Sequence, residues 1–179
     1  MPNDDLIAWY QTHRLDDALA CMLHDLRDPF EAIGTIAALV GHFSNQAAAC
    51  SELSLTLMQA TTTLVEQDIN ADFWAVGQEI VQQLRSQQRN ESEPTAHRTW
   101  NQPLDRVVTD IAQRMRATVI TLRQTIVPCQ ETCLACLPAE MRENIRTVLT
   151  SKLDAFLQQI AVLEDVIVPR IKAEISMTL

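Results

Sequence analysis

The residues best equipped for chemistry stand together at His24-Asp25-Leu26-Arg27-Asp28-Pro29. A neutral imidazole is a competent nucleophile near neutral pH, and an adjacent carboxylate can orient the ring or take its proton. Phosphorylated imidazole stays reactive enough to pass the group onward. His24 and Asp25 are therefore the candidate catalytic pair, with Arg27, Asp28 and Pro29 as supporting residues; the plainer reading of His24 alone is a solvent-facing helical histidine. A second constellation is Cys129, Cys133 and Cys136, spaced C-x3-C-x2-C. Three thiolates at that spacing could hold an iron–sulfur cluster, or three of four zinc positions with His97 as the fourth ligand. Spacings of four and three also place the sulfurs on one helical face, where cysteine packs as a small apolar residue, and that simpler reading is preferred. Trp9, Tyr10, Trp74 and Trp100 have no spacing that suggests a ligand cage and read as core or packing residues.

Composition narrows the chemistry further. Three glycines in 179 residues (Gly34, Gly41 and Gly77) cannot write either GxxxxGK[ST] or GxGxxG, so the familiar Gly-rich phosphate cradles are absent. Fourteen Lys and Arg against 23 Asp and Glu give a formal charge of -9, which argues against a nucleic-acid-binding surface. The first residues lack a basic leader, and no run of about 18 apolar residues follows, so no membrane insertion and a cytoplasmic location are expected. There the five cysteines would be reduced, and an odd count fits poorly with a disulfide framework.

The elements that must position these residues read as helices. The chain is 47% hydrophobic yet only 4% aromatic, and few turn residues accompany many Ala, Leu, Gln and Glu. A first helix begins as early as Asp4, with a break possible at Gln11-Thr12-His13, and reaches about Val40. Its seam is Leu15, Leu19, Met22, Leu26, Phe30, Ile33, Ala37 and Val40. His24 lies about 200° around the helix from both Met22 and Leu26 and should point outward. A second helix covers roughly Gln46 to Gln87, with Leu53, Leu57, Leu64, Phe73, Ile80 and Leu84 inward and an interruption at Asp68-Ile69-Asn70.

The polar stretch from Ser86 to Pro103 reads as a linker. A third helix carries Leu104, Val108, Ile111, Met115, Val119, Leu122 and Ile126, and Pro128 and Pro138 bracket a connector. The fourth starts near Pro138 with Met141, Ile145, Val148, Phe156, Ile160, Leu163 and Ile167 inward, and Pro169 should kink or end it. The expected fold is all-α: an antiparallel four-helix bundle of two hairpins in a single domain. Residues 1–87 form the first hairpin, 88–103 the linker and 104–179 the second.

The run His24-Asp25-Leu26-Arg27-Asp28-Pro29-Phe30, with apolar residues at helical spacing beyond it, resembles the H-box of the dimerisation and histidine-phosphotransfer domain of sensor histidine kinases. The pattern His-acid-Leu-Arg-x-Pro arises by chance in about one chain of this length in ten thousand. The resemblance is strong over Asp17 to Leu39, weaker over the second helix, and ends by Gln87. It implies that His24 accepts phosphate and that Asp25 is its acid/base partner; independently, Pro29 has no N–H for the Asp25 carbonyl, so the helix should bend one turn after the histidine.

Two departures shape that implication. Asp28 stands where the family commonly has Asn or Thr, and its carboxylate would repel an incoming phosphoryl group, so phosphatase chemistry is not expected. The ATP-binding domain has no counterpart: residues 104–179 read as helices. His13, His42 and His97 lack the flanking pattern, and His-x-Leu-Lys-Gly is absent. The leading expectation is a histidine phosphotransferase of a phosphorelay, not a self-sufficient ATP-dependent kinase. It would bind no cofactor itself, with Mg2+ expected only in a partner receiver domain. Partners would be a response regulator receiver or a histidine kinase, or a second copy in a homodimer. The acidic cluster Asp16, Asp17, Asp25, Asp28 and Glu31 could face such a partner or simply be a solvated helix face. The competing classes are a non-catalytic helical regulatory or docking module and, more remotely, a metal-binding helical bundle.

Overall fold

The computed structural model describes residues 4–43, 48–89, 101–135 and 137–176, with backbone alone for 48–50, 87–89, 125, 127–133 and 176. The helices are α1 (Asp4–Thr12), α2 (Leu15–Phe43), α3 (Ala48–Thr62), α4 (Trp74–Arg89), α5 (Leu104–Cys133), α6 (Ala139–Val162) and α7 (Val168–Ser176). Two π-helical stretches, π1 (Thr63–Phe73) and π2 (Leu163–Ile167), join α3 to α4 and α6 to α7 without a break. The result is five continuous rods, with no strand among the described residues.

The α1–α2 break falls at His13-Arg14. Arg14 starts α2 by accepting the Ala18 N–H, and its guanidinium forks onto Asp16 at 2.8 and 3.0 Å. Asp16 and Asp17 in this first turn suit the positive end of the helix dipole. The Arg14 hydrogen bond also holds the Asp16 carboxyl below its ordinary value. All eight seam residues of α2 are buried and join residues of every other rod in one apolar cluster. The seam of α5 is likewise buried throughout.

The α2–α3 and α5–α6 pairs run antiparallel. Ser54 of α3 donates to the Ala37 carbonyl of α2 at 2.8 Å, while Thr61 lies opposite Gly34. Phe30 of α2 meets Phe156 of α6 edge to face at 4.7 Å, and both are fully buried. Between α5 and the α6 rod, Arg123 pairs with Asp154 at 2.9 Å and Arg116 pairs with Glu164.

Several local expectations are corrected. The helix does not stop at Asp68-Ile69-Asn70; it widens, and the Trp74 N–H reaches the Ile69 carbonyl five residues back. The wider turn brings the adjacent residues Asp68 and Ile69 inward together, Ile69 into the core and Asp68 onto Arg114 of α5 at 3.1 Å. Burial pushes the Asp68 carboxyl above its usual value, and Arg114 opposes that shift. Pro169 does not end its helix, because π2 lies directly before it. The opened turn makes room for a ring that would otherwise crowd the Asp165 carbonyl.

Pro128 does not begin the connector either, since α5 continues through it to Cys133, and the Leu137 N–H to Leu134 carbonyl turn follows instead. Val148 is 40% exposed, with Leu149 and Leu153 taking the inward positions of α6; Met141 and Leu84 are half-buried. In α4 the helix reaches Arg89, past the expected start of the linker, whose residues 90–100 lie outside the described residues.

The α2–α3 approach is close enough to test. A Cβ at Gly41 would stand 2.8 Å from Ser54 Oγ, a buried hydroxyl held on the Ala37 carbonyl, whereas a Cβ at Gly77 would meet nothing within 4 Å. Gly41→Ala is expected to destabilise by about 1–3 kcal/mol through overpacking. Gly77→Ala should stabilise by about 0.5–1 kcal/mol through lost unfolded-state freedom. Urea unfolding midpoints check both. Adding Ser54→Ala should recover part of the Gly41→Ala loss, and equal midpoints for the two alanine variants would contradict the close approach.

Candidate functional site

His24 sits near the middle of α2 on the side opposite the seam, and its side chain is 80% exposed. Outward projection follows from the burial of Met22 and Leu26 on either side. Its Nδ1 lies 3.5 Å from Asp25 Oδ1, a charge contact longer than an ordinary N–H···O hydrogen bond. The other carboxylate oxygen, Asp25 Oδ2, accepts a 2.7 Å hydrogen bond from the Tyr10 hydroxyl. Tyr10 comes from α1 and is fully buried, so its phenol needs an internal partner, and Asp25 supplies one. Desolvation first, then the hydrogen bond and the charge of Asp25, push the phenol far above its ordinary value of 10.0.

The remaining motif residues occupy separate positions around α2. Arg27 reaches Glu31 one turn on, at 3.7 Å. Asp28 points to α6, where Lys152 Nζ stands 3.4 Å from its Oδ2. Thus the carboxylate expected to repel a phosphoryl group has a cation beside it. Pro29 is buried inside α2, which stays helical across it; proline has no N–H for the Asp25 carbonyl. Of the acidic cluster, Asp16, Asp25, Asp28 and Glu31 all have donors or cations at hand, so it is not a uniform negative surface.

His24, Arg27 and Asp28 share one surface of α2, a shallow depression with Ala20, Leu23 and Glu31 that neither Asp25 nor Pro29 lines. Ala20 and Leu23 also border a second groove, between α2 and the start of α4, with Leu19, Phe73, Trp74 and Val81 in its walls. Trp74, expected to pack inside, is instead 48% exposed there. Trp9 is half-buried and stacks on His13 at 4.1 Å; Trp100 and His97 lie outside the described residues.

The cysteine triplet also lies outside them: Cys136 entirely, and Cys129 and Cys133 in their side chains. Among the described residues no group of three or more His, Cys, Asp or Glu side chains could hold a metal ion. Nor is any helix among them long and apolar enough to cross a membrane. Cys21 is a free thiol beside Tyr10 and Asp25; burial first, then the Asp25 charge, push it up, which keeps it protonated.

Three participants were missed by sequence reasoning. Tyr10 was assigned to packing, though a tyrosine that must be buried always leaves the question of what accepts its hydroxyl proton. Lys152 reaches Asp28 from 124 residues away and Arg170 donates to the Tyr10 carbonyl from 160 away, and no local pattern signals either. No family model, curated protein or solved structure matches the chain.

Tyr10 is the single tyrosine, so phenolate absorbance reports on it alone. Its raised value means the folded state holds the phenolic proton more tightly than the unfolded state. The stability this contributes is intact below pH 10.0 and is lost as the pH rises above it. The phenolate signal in an alkaline titration should therefore appear only with cooperative loss of helical circular dichroism. A phenolate titrating near its ordinary value in the still-folded protein would contradict the buried Tyr10–Asp25 bond.

Proposed function

We propose that this chain is a histidine-containing phosphotransfer protein of two-component signalling, with His24 as phosphoacceptor and Asp25 as its acid/base partner. One observation carries the reading: an exposed imidazole whose Nδ1 lies 3.5 Å from a carboxylate that is itself anchored to the interior. The H-box-like pattern around it supplies the chemical class, and in this reading a phosphorylated receiver domain is the donor. In this reading the chain works in the cytoplasm as an antiparallel four-helix bundle of two hairpins. A receiver domain brings the phosphoryl group together with its own Mg2+. Lys152 beside Asp28 lessens the negative field that an incoming phosphoryl group meets.

The groove between α2 and α4, with its half-exposed Trp74, favours a second reading: a regulatory module that docks on a receiver or kinase without chemistry. One experiment separates the two. The full chain is incubated with phosphorylated receiver domains, and acid-labile, alkali-stable label is sought. Phosphotransfer predicts label that disappears in His24→Gln while helical content is retained. Receivers that bind tightly yet leave the wild-type chain unlabelled would establish the docking module in its place.

A further inference from the structure

Asp25 can serve His24 only if its carboxylate is held still, and α2 by itself does not hold it. Adjacent helical residues diverge by about 100°, so the two side chains do not naturally face each other. The restraint comes from α1. Asp25 divides its oxygens between two partners, Oδ2 to the Tyr10 hydroxyl at 2.7 Å and Oδ1 toward His24 Nδ1 at 3.5 Å. The Tyr10 ring is fully buried and cannot swing away without opening the core. Its backbone is fixed as well: Arg170 of α7 donates to the Tyr10 carbonyl at 2.5 Å and is itself paired with Glu174.

We propose that Tyr10 is a positioning residue for His24. By holding Asp25 Oδ2 it presents Oδ1 to Nδ1, keeps the imidazole proton on that nitrogen, and leaves the Nε2 lone pair as the nucleophile. The consequence for catalysis rests on the phosphotransfer reading; the tautomer is a property of the resting protein and does not. In the transfer step the Nε2 lone pair forms the N–P bond as the P–O bond to the receiver carboxylate breaks. The leaving carboxylate keeps that electron pair. Positive charge develops on the imidazole, and Asp25 offsets it across the Nδ1 proton.

The test compares the wild-type chain with Tyr10→Phe, which keeps the ring in the core and removes only the hydroxyl. Imidazole 15N chemical shifts, assigned with His24→Gln, report the tautomer of His24. The Nδ1–H form should dominate in the wild type, and Tyr10→Phe should move the ratio several-fold toward Nε2–H. Asp25→Asn should do the same in a chain whose Tyr10 is intact, which keeps the proposal testable if Tyr10→Phe does not fold. An unchanged ratio in either folded variant overturns the positioning role. Where the wild type accepts phosphate, Tyr10→Phe should slow transfer about tenfold at unaltered receiver affinity. If transfer slowed only because receiver binding weakened, the role would be structural and the proposal would fall. A wild-type chain that takes no label sinks the phosphotransfer reading, while the tautomer ratios still decide this one.

Discussion

Water exclusion along one face of α2 is the constraint from which most other features follow. Eleven of its 29 residues are buried, from Leu15 through Val40, and each large apolar side chain withdrawn contributes about 1.5–3 kcal/mol. Every rod of the fold supplies residues to the cluster that covers this face. Once the seam is fixed, the directions of the intervening residues are no longer free. His24 must face out, Pro29 must face in, and Asp25 must lie at the boundary between them. That boundary position lets one carboxylate touch both a buried phenol and an exposed imidazole.

A polar group drawn into the interior accompanies one irregular part of the fold, and a proline the other. Asp68 is carried inside by the wide turn of π1, and Arg114 answers it from α5 while also reaching Asp72 at 2.5 Å. Arg114 is half-exposed and keeps part of its hydration, which suits a pair that does not have to recover two full desolvation costs. The two π-helical stretches thus have different origins. One aligns a buried carboxylate with a cation on another rod, and the other makes room for the ring of Pro169.

Helical periodicity made the long seams readable, because three-and-four spacing of Leu, Ile, Val, Met and Phe leaves one way to bury α2 and one way to bury α5. It failed where the pattern offered two choices. Val148 and Leu149 are adjacent and both apolar, and only packing against the other rods selects Leu149. It also failed at Pro128, through which α5 continues, and at Pro169 it left open whether the helix would kink or end, since a proline states what the backbone lacks without saying what will accommodate it. In the candidate site, His24 and Asp25 were legible as a motif. Tyr10 was not, because its role depends on α1 folding back over α2, and no spacing rule encodes that return. Lys152 and Arg170 were illegible for the same reason: their partners are long-range.

The hydrogen bond from Arg170 to the Tyr10 carbonyl has a consequence for the order in which the chain assembles. It spans 160 residues, whereas the Ser54 to Ala37 bond between α3 and α2 spans 17. Closing so long a loop carries an entropic penalty that short hairpin contacts avoid, and that penalty falls once the intervening rods have already docked. The α2–α3 contact is therefore cheap to close, while the α1–α7 clasp needs rods from distant parts of the chain already docked. The geometry around Asp25 thus depends on α1 and α7 being docked together, although neither belongs to the helix that carries the motif.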